Sequence, residues 1–384
     1  MRFADALARP GLAAIAEVKR RSPSAGDLRP DADPAGLAAE FAAAGAAAVS
    51  VLVDERFAGT LDDLRAARAA TEAPLLGKGF FSTEEHLREL RDAGADAVLL
   101  LLRDLDDATG ARLLAYAAEL GVDALVEAHD EAELDRAVAL GAPVIGINAR
   151  DLATFAIDRD AQLRLVARAP SDRVIVAESG VHTRAQGAAA ELAGADAILV
   201  GSSLMRAGDP ATKLRELLSR PLVKVCGLTR QDDVDVAVDA GADLLGFIFA
   251  EGSPRRAPAV LEVPDTALSV AVFVGEPEQR GSDLVQVYER EQGTVRGRDA
   301  VLLRDGERVA TVADLPWERD DPDHLRNATA IEGRLVLAGR LGPDNVRAAI
   351  DVVDPWAVDA ASRLEAEPGV KDHDKVRAFV AAAR

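Results

Sequence analysis

RDAGADAVLLL, Arg91 to Leu101, decides the fold. A helix ends, a Gly follows, then a short small-or-polar pair, then an unbroken apolar run. The phrase returns as AAAGAAAVSVL (42–52), AELGVDALVEA (118–128), VALGAPVIGIN (138–148), ELAGADAILVG (191–201) and VDAGADLLGFI (238–248). Each Gly stands where a left-handed residue stops a helix. Each apolar run is hydrophobic on both faces, as a parallel strand covered by helices must be.

Outward from these phrases, strands are expected at Ala13 to Val18, Ala48 to Leu52, Pro74 to Leu76, Ala97 to Leu101, Ala124 to Val126, Val144 to Ile147, Val174 to Ala177 and Ala197 to Val200. Eight βα units in about 220 residues suit a closed barrel, a fold of typically ~250 residues. A doubly wound open sheet is the alternative. At Arg220-Pro221 the pattern restarts with LVKVCGL, placing a seam near Ser219 to Leu222. The expected fold is therefore an α/β chain of two domains: a (β/α)8 TIM barrel over 1–220, then a shortened or degenerate barrel-like domain over 221–384.

The 384 residues carry a formal charge of −20, which repels nucleic acid and anionic membrane surfaces. An anionic substrate would need a local cluster of Lys and Arg working against that field. Cys226 is the only cysteine, so no intrachain disulfide can form, and no apolar run reaches the ~18 residues of a membrane span. The first residues mix Arg2, Asp5 and Arg9 into short apolar stretches, unlike a signal peptide. A cytoplasmic protein is the expectation; oligomeric state is not legible.

In such barrels the chemistry sits at the C-terminal ends of the strands. There the sequence places Glu17 and Lys19, Lys78, Glu127, Asn148 with Arg150, and Glu178 with Ser179. Opposite charges crowded at one mouth shift each other's proton affinities, as acid–base chemistry requires. The alternative is a salt-bridge network that merely ties the mouth together. The last two strands run into ESG (178–180) and GSS (201–203), where glycines let backbone N–H groups approach a phosphate. A substrate monophosphate is implied.

IAEVKRRSPSAG (15–26), SVLVDERFAG (50–59), LVEAH (125–129), GINARDL (146–152), VAESGV (176–181) and LVGSSLM (199–205) together resemble the indole-3-glycerol-phosphate synthase family over nearly all of residues 11–208. The resemblance implies ring closure of 1-(2-carboxyphenylamino)-1-deoxyribulose 5-phosphate with loss of carbon dioxide and water, without metal or cofactor. Lys78 would be the general acid that polarises the ketone, and Glu127 its acid–base partner in the dehydration. Lys19 would pair with the substrate's carboxylate and phosphate, with Glu17 and Glu178 steering both lysines. Asn148, Arg150 and Ser179 would hold the substrate, Ser22, Gly180, Gly201 and Ser202 its phosphate and surroundings, and Pro23, Phe57, Phe80 and Leu152 would line the aromatic pocket. The family's K-D-F is here Lys78-Gly79-Phe80, removing a carboxylate beside the acid. The helical extension that normally precedes the first strand and covers the mouth is mostly missing, so substrate closure is expected to be looser.

In the second half, VKVCGLTR (223–230), GADLLGFIFAEGSPRR (241–256), VAVFV (270–274) and PGVKDHDKVRAFV (368–380) resemble phosphoribosylanthranilate isomerase, which makes the synthase's substrate. That resemblance implies Cys226 as the base of an Amadori rearrangement and Arg255 as the anthranilate carboxylate binder, with Asp305 a candidate acid. A lone Cys is otherwise a small buried hydrophobe. The family's Q-L-H-G is reduced to Gln286-Val287-Tyr288, its G-G-L to Gly339-Arg340-Leu341 and its S-S-G to Ala361-Ser362-Arg363. VLLRDGERVATV (301–312) reads as a hairpin, with Asp305-Gly306 at a tight primed turn, and Asp305 then serves only the turn. This half is either a shortened working isomerase or a non-catalytic structural or interaction module.

Overall fold

The computed structural model describes residues 2–23, 26–151, 154–288, 300–315 and 324–384; Leu152 lies outside them. Contacts divide the chain into one unit of Met1–His182 with Gly187–Leu218 and a second of Ser219–Arg384 with Thr183–Gln186.

The first unit closes eight parallel strands into a barrel: β1 (Ala13–Val18), β2 (Ala48–Leu52), β3 (Leu75–Lys78), β4 (Ala97–Leu101), β5 (Asp123–Ala128), β6 (Val144–Asn148), β7 (Val174–Glu178) and β8 (Ala197–Val200). The open sheet is excluded, because β1 pairs with β2 on one side and β8 on the other. The six repeat glycines all take positive φ, between 73° and 112°, as helix-ending residues. The polar member of the repeat has its own function. Asp96 accepts the Leu75 N–H and Asp196 the Ile175 N–H, both at 2.8 Å, so each satisfies a donor near the start of a strand at the bottom of the barrel.

Inward-facing Ile15, Leu76, Leu99, Leu125, Val176 and Leu199 fill the barrel, and a separate layer of apolar side chains joins the strands to the outer helices. Phe3 and Leu7, from a short helix Phe3–Leu7, are fully buried in the inner cluster. This helix is tied to Asp123 at the start of β5, through Arg2 and the Ala4 N–H. It plugs the bottom, and the upper mouth is left to the strand-end loops.

The second unit is also a closed barrel of eight strands: β9 (Leu222–Cys226), β10 (Leu244–Ile248), β11 (Leu268–Val274), β12 (Leu284–Tyr288), β13 (Ala300–Arg304), β14 (Glu307–Asp314), β15 (Leu335–Ala338) and β16 (Ala357–Ala360). β13 runs antiparallel to both neighbours while the other pairings are parallel. A hairpin in place of a βα unit explains how so short a domain still closes. Asp305 and Gly306 have φ of 49° and 87°, the two left-handed residues of a primed turn.

Candidate functional site

Because the C-terminal end of every strand in the first barrel faces one mouth, strand-end side chains converge over a cavity of about 430 Å³. Its wall carries Glu17, Lys19, Ser22, Pro23, Phe57, Lys78, Phe80, Glu127, Asn148, Arg150, Ser179, Gly180, Gly201 and Ser202. Of the residues read from sequence, Glu178 stands apart: it is buried behind Lys78, off the wall. Arg56, Arg103, Asp104 and Phe155 also line the cavity and were not singled out. They sit on loops after the strands, where no repeat marks them.

At the floor, Lys78 Nζ is 2.6 Å from Glu178 Oε2, 3.6 Å from Glu17 Oε2 and 3.8 Å from Glu127 Oε2. Lys19 Nζ pairs with Glu17 Oε1 at 3.2 Å. Burial alone would lower the Lys78 ammonium, but the three carboxylates outweigh it, Glu178 most, and hold it above its ordinary range. Burial would likewise raise Glu17, yet Lys19 and Lys78 bring it below the usual carboxylate value. For Glu178, burial and the neighbouring Glu127 charge prevail, pushing it up to about 8 despite Lys78. The floor therefore holds one strongly retained ammonium among three carboxylates, of which Glu178 is the one that most easily takes up a proton.

Glycine makes this packing feasible at two points. A Cβ on Gly146 would lie 2.1 Å from Glu178 Oε1, and one on Gly201 would lie 2.4 Å from Glu17 Oε1. The aromatic side is built from Phe57 and Phe80, whose rings stack with centroids 6.2 Å apart. Lys19 lies over Phe57 at 5.3 Å and the Arg56 guanidinium over Phe80 at 3.6 Å. Opposite, Ser179 and Gly180 take successive positive φ of 70° and 74°, a tight turn that brings their backbone to the cavity edge. Ser179 is not a glycine, so its backbone strain is held there by the surrounding structure.

The second barrel has a smaller cavity, about 180 Å³, lined by Cys226, Arg255, Tyr288, Asp314, Arg340 and Asp359 among others. Cys226 ends β9, and a Cβ on Gly246 would come within 2.6 Å of its sulfur. Arg255 reaches the same cavity but is already held bidentately by Glu365, at 2.7 and 2.8 Å. Of the two readings of Asp305, the structure shows the turn. Asp305 lies in the hairpin turn, 83% exposed and paired with Arg304, whereas Asp314 ends β14 on the cavity wall. The antiparallel β13 explains this, since reversing one strand sends its end, and Asp305, to the opposite face.

Inside this barrel runs a polar chain that sequence reading missed. Lys224 Nζ donates to Asp359 Oδ2 and Gln286 Oε1, both at 2.7 Å; Gln286 Nε2 is 3.0 Å from the Tyr288 hydroxyl, which is 3.3 Å from Asp314 Oδ2. Gln286 and Tyr288, the remnant of the Q-L-H-G motif, thus connect the barrel core to the cavity acid. Of the two arginines that replace phosphate glycines, Arg340 lines the cavity, while Arg363 turns to Asp344 at 2.8 Å. Burial pushes the Cys226 thiol above its ordinary value, only partly offset by Lys224.

A closed α/β barrel with a lysine among carboxylates at its mouth, an aromatic wall and glycines on the cavity edge defines a barrel enzyme of the class that acts on phosphorylated small molecules. Residues 1–217 match the family model for indole-3-glycerol phosphate synthase, and residues 296–382 that for N-(5'-phosphoribosyl)anthranilate (PRA) isomerase. An indole-3-glycerol phosphate synthase of a Nocardioides species is 52% identical over 208 residues, covering 54% of this chain and 80% of that one. A synthase of Streptomyces coelicolor is 51% identical over 217 residues, covering 56% and 84%. Among solved structures, TrpF from Jonesia denitrificans is 28% identical, covers 43% of this chain and 97% of its own, and superposes with a TM-score of 0.35. The chain belongs to the indole-3-glycerol phosphate synthase family and is an enzyme of tryptophan biosynthesis, a carbon–carbon lyase with an isomerase-family segment in its second half. Among the described residues no helix is long and apolar enough to cross a membrane.

Proposed function

We propose that the first barrel closes the indole ring of 1-(2-carboxyphenylamino)-1-deoxyribulose 5-phosphate through Lys78. The observation that carries this reading is the Lys78 ammonium, less than 4 Å from three carboxylates on three strands and facing the cavity. The substrate phosphate lies against Ser179, Gly180, Gly201 and Ser202, and its aryl ring against Phe57 and Phe80. Lys19, with Arg150, meets the anionic groups. As the ring carbon attacks the ketone, Lys78 protonates the developing alkoxide, where a fixed ammonium in a dry site stabilises charge far better than water does. Carbon dioxide leaves and aromaticity returns; the hydroxyl then departs as water on a second proton delivered through Lys78 once it is recharged from solvent, while Glu127 takes the proton lost from the adjacent carbon. Asn148 orients Glu127 by donating to its Oε1 at 2.9 Å. Glu17 and Glu178 hold the lysines in place. Loss of ring closure in Lys78→Ala, with the barrel still folded, is the test; a near-normal rate sinks the assignment.

The second barrel, on the same proposal, makes that substrate by an Amadori rearrangement. Cys226 removes the carbon-bound proton, Asp314 protonates the ring oxygen, and Arg255 offers its remaining N–H groups to the anthranilate carboxylate. Two candidate proton carriers lining one cavity favour this over an inert module. The anionic, metabolite-sized substrates and the acidic surface fit a cytoplasmic enzyme without nucleic-acid partners. Full-length Lys78→Ala protein, supplied with phosphoribosylanthranilate, isolates this half: enzyme-dependent loss of fluorescence with build-up of the carboxyphenylamino product supports it, and no change overturns it.

A further inference from the structure

His129 has no place in the ring closure described so far and is absent from the cavity wall, yet it is built into the site. It follows the end of β5, where Ala128 and the first turn of the helix Glu131–Ala139 bring it back over Glu127. The Glu133 carboxylate grips it from behind: Oε2 accepts the His129 backbone N–H at 2.8 Å and lies 3.0 Å from ring Nδ1. The other ring nitrogen, Nε2, faces Glu127 Oε1 at 3.1 Å. That contact is an ion pair rather than an aligned hydrogen bond, and the same oxygen also accepts from Asn148. All three side chains are largely buried, at 14%, 15% and 3% exposure for Glu133, His129 and Glu127.

We infer that His129 is a positioning residue for the ring closure, wedged between Glu133 and Glu127 so that the Glu127 carboxylate keeps both its orientation and its negative charge. The inference rests on Glu127 taking part in the reaction. Its consequence is a division of labour: Glu127 is a proton acceptor, and the proton given to the substrate comes from Lys78.

The charges around the pair support this. Glu127 faces Lys78 from β3, Asn148 from β6, and the Glu17 and Glu178 carboxylates from β1 and β7. Among the described residues, the charged groups that face His129 are the Glu127 and Glu133 carboxylates, with Arg136 acting on Glu133 from the same helix. Burial would lower the imidazole, but the two carboxylates raise it to about 10, so it is an imidazolium at neutral pH. Burial would raise Glu127, but His129, then Lys78 and Asn148, bring it to about 2. Without the imidazolium, Glu127 would share one lysine with two other buried carboxylates, and one of like charges so placed tends to take up a proton.

The experiment measures kcat and KM for ring closure against pH in wild type, His129→Gln, Glu133→Gln and Glu127→Gln. In His129→Gln, kcat near neutrality should fall about tenfold or more with KM changed less than about twofold, and the acid limb should move upward by about one unit or more. The direction follows because losing a positive neighbour makes Glu127 easier to protonate as pH falls. In Glu133→Gln, the imidazolium loses one of its two anions, so the basic limb should move to lower pH. A drop in kcat with both limbs unmoved would make His129 a packing residue and overturn the inference, as would unchanged kinetics. If His129→Gln does not fold, the basic limb of Glu133→Gln decides alone. Full activity in Glu127→Gln would instead refute the participation of Glu127, a separate failure.

Discussion

Glu178 grips Lys78 from behind, its Oε2 2.6 Å from the lysine Nζ, while its other oxygen fits into a space that exists because residue 146 is glycine. Glu178 does not reach the cavity, so it acts through the lysine. Lys78→Ala should therefore lower kcat for ring closure by about a thousandfold or more, the scale of losing a pre-organised charge in a dry site. Glu178→Gln should cost less, about ten- to a hundredfold, because an ammonium that still faces Glu17 and Glu127 remains available. Steady-state ring closure followed by indole absorbance separates the two; equal losses would make Glu178 a direct participant.

Gly146→Ala tests the packing under that pair. The added methyl would meet Glu178 Oε1 at 2.1 Å, and β6 is held by parallel partners on both sides, so the carboxylate must move. Overpacking of this kind costs about 1–3 kcal/mol. The expected outcome is a folded barrel with reduced kcat and little change in KM, since the phosphate and aromatic contacts lie elsewhere. A variant with normal kcat would show that Glu178 can relocate without moving Lys78.

These relations were unevenly legible in the sequence. Five of the six glycines and the apolar runs behind them mark the first barrel, because a helix stop and a doubly buried strand each leave a local signature; the sixth, Gly241, marks a strand of the second. The strand-end Lys78, Glu127 and Asn148 followed, since the fold dictates where strands end. His129 and Gly146 were visible within LVEAH and GINARDL but carried no sign of what they touch, which depends on neighbours across the sheet. In the second half the Asp305-Gly306 turn was legible, but a local turn does not say that its hairpin completes a closed barrel. Asp314 was therefore missed, and Lys224, in an ordinary-looking strand, gave no hint that Asp359 and Gln286 would meet it.

Acid stability should follow the depressed carboxylates. Glu127 is brought from an ordinary value of 4.5 to about 2, so the stability it contributes is present above pH 4.5 and is lost as pH falls toward 2. Glu17, also lowered, works in the same direction. In calorimetric melts at falling pH, the transition of the first barrel should therefore drop less steeply in Glu127→Gln than in wild type. Tryptophan fluorescence would not serve, because Trp317 and Trp356 are the only tryptophans and both lie in the second half. Parallel curves for variant and wild type would show that Glu127 is not ionised in the folded state.

The exchange of Asp305 for Asp314 gives the sharpest test of the second barrel. Asp314 lines the cavity with Cys226 and receives the Tyr288 hydroxyl at 3.3 Å, whereas Asp305 is exposed in a turn on the opposite face. In full-length protein carrying Lys78→Ala to silence ring closure, Asp314→Asn should reduce consumption of phosphoribosylanthranilate about a hundredfold or more, the usual contribution of a positioned general acid. Cys226→Ala should do at least as much. Asp305→Asn should leave the rate within about twofold, since an asparagine also accepts the left-handed turn conformation. If Asp305→Asn were the damaging change and Asp314→Asn harmless, the antiparallel β13 itself would be in question, because only a strand running the other way would bring Asp305 to the cavity.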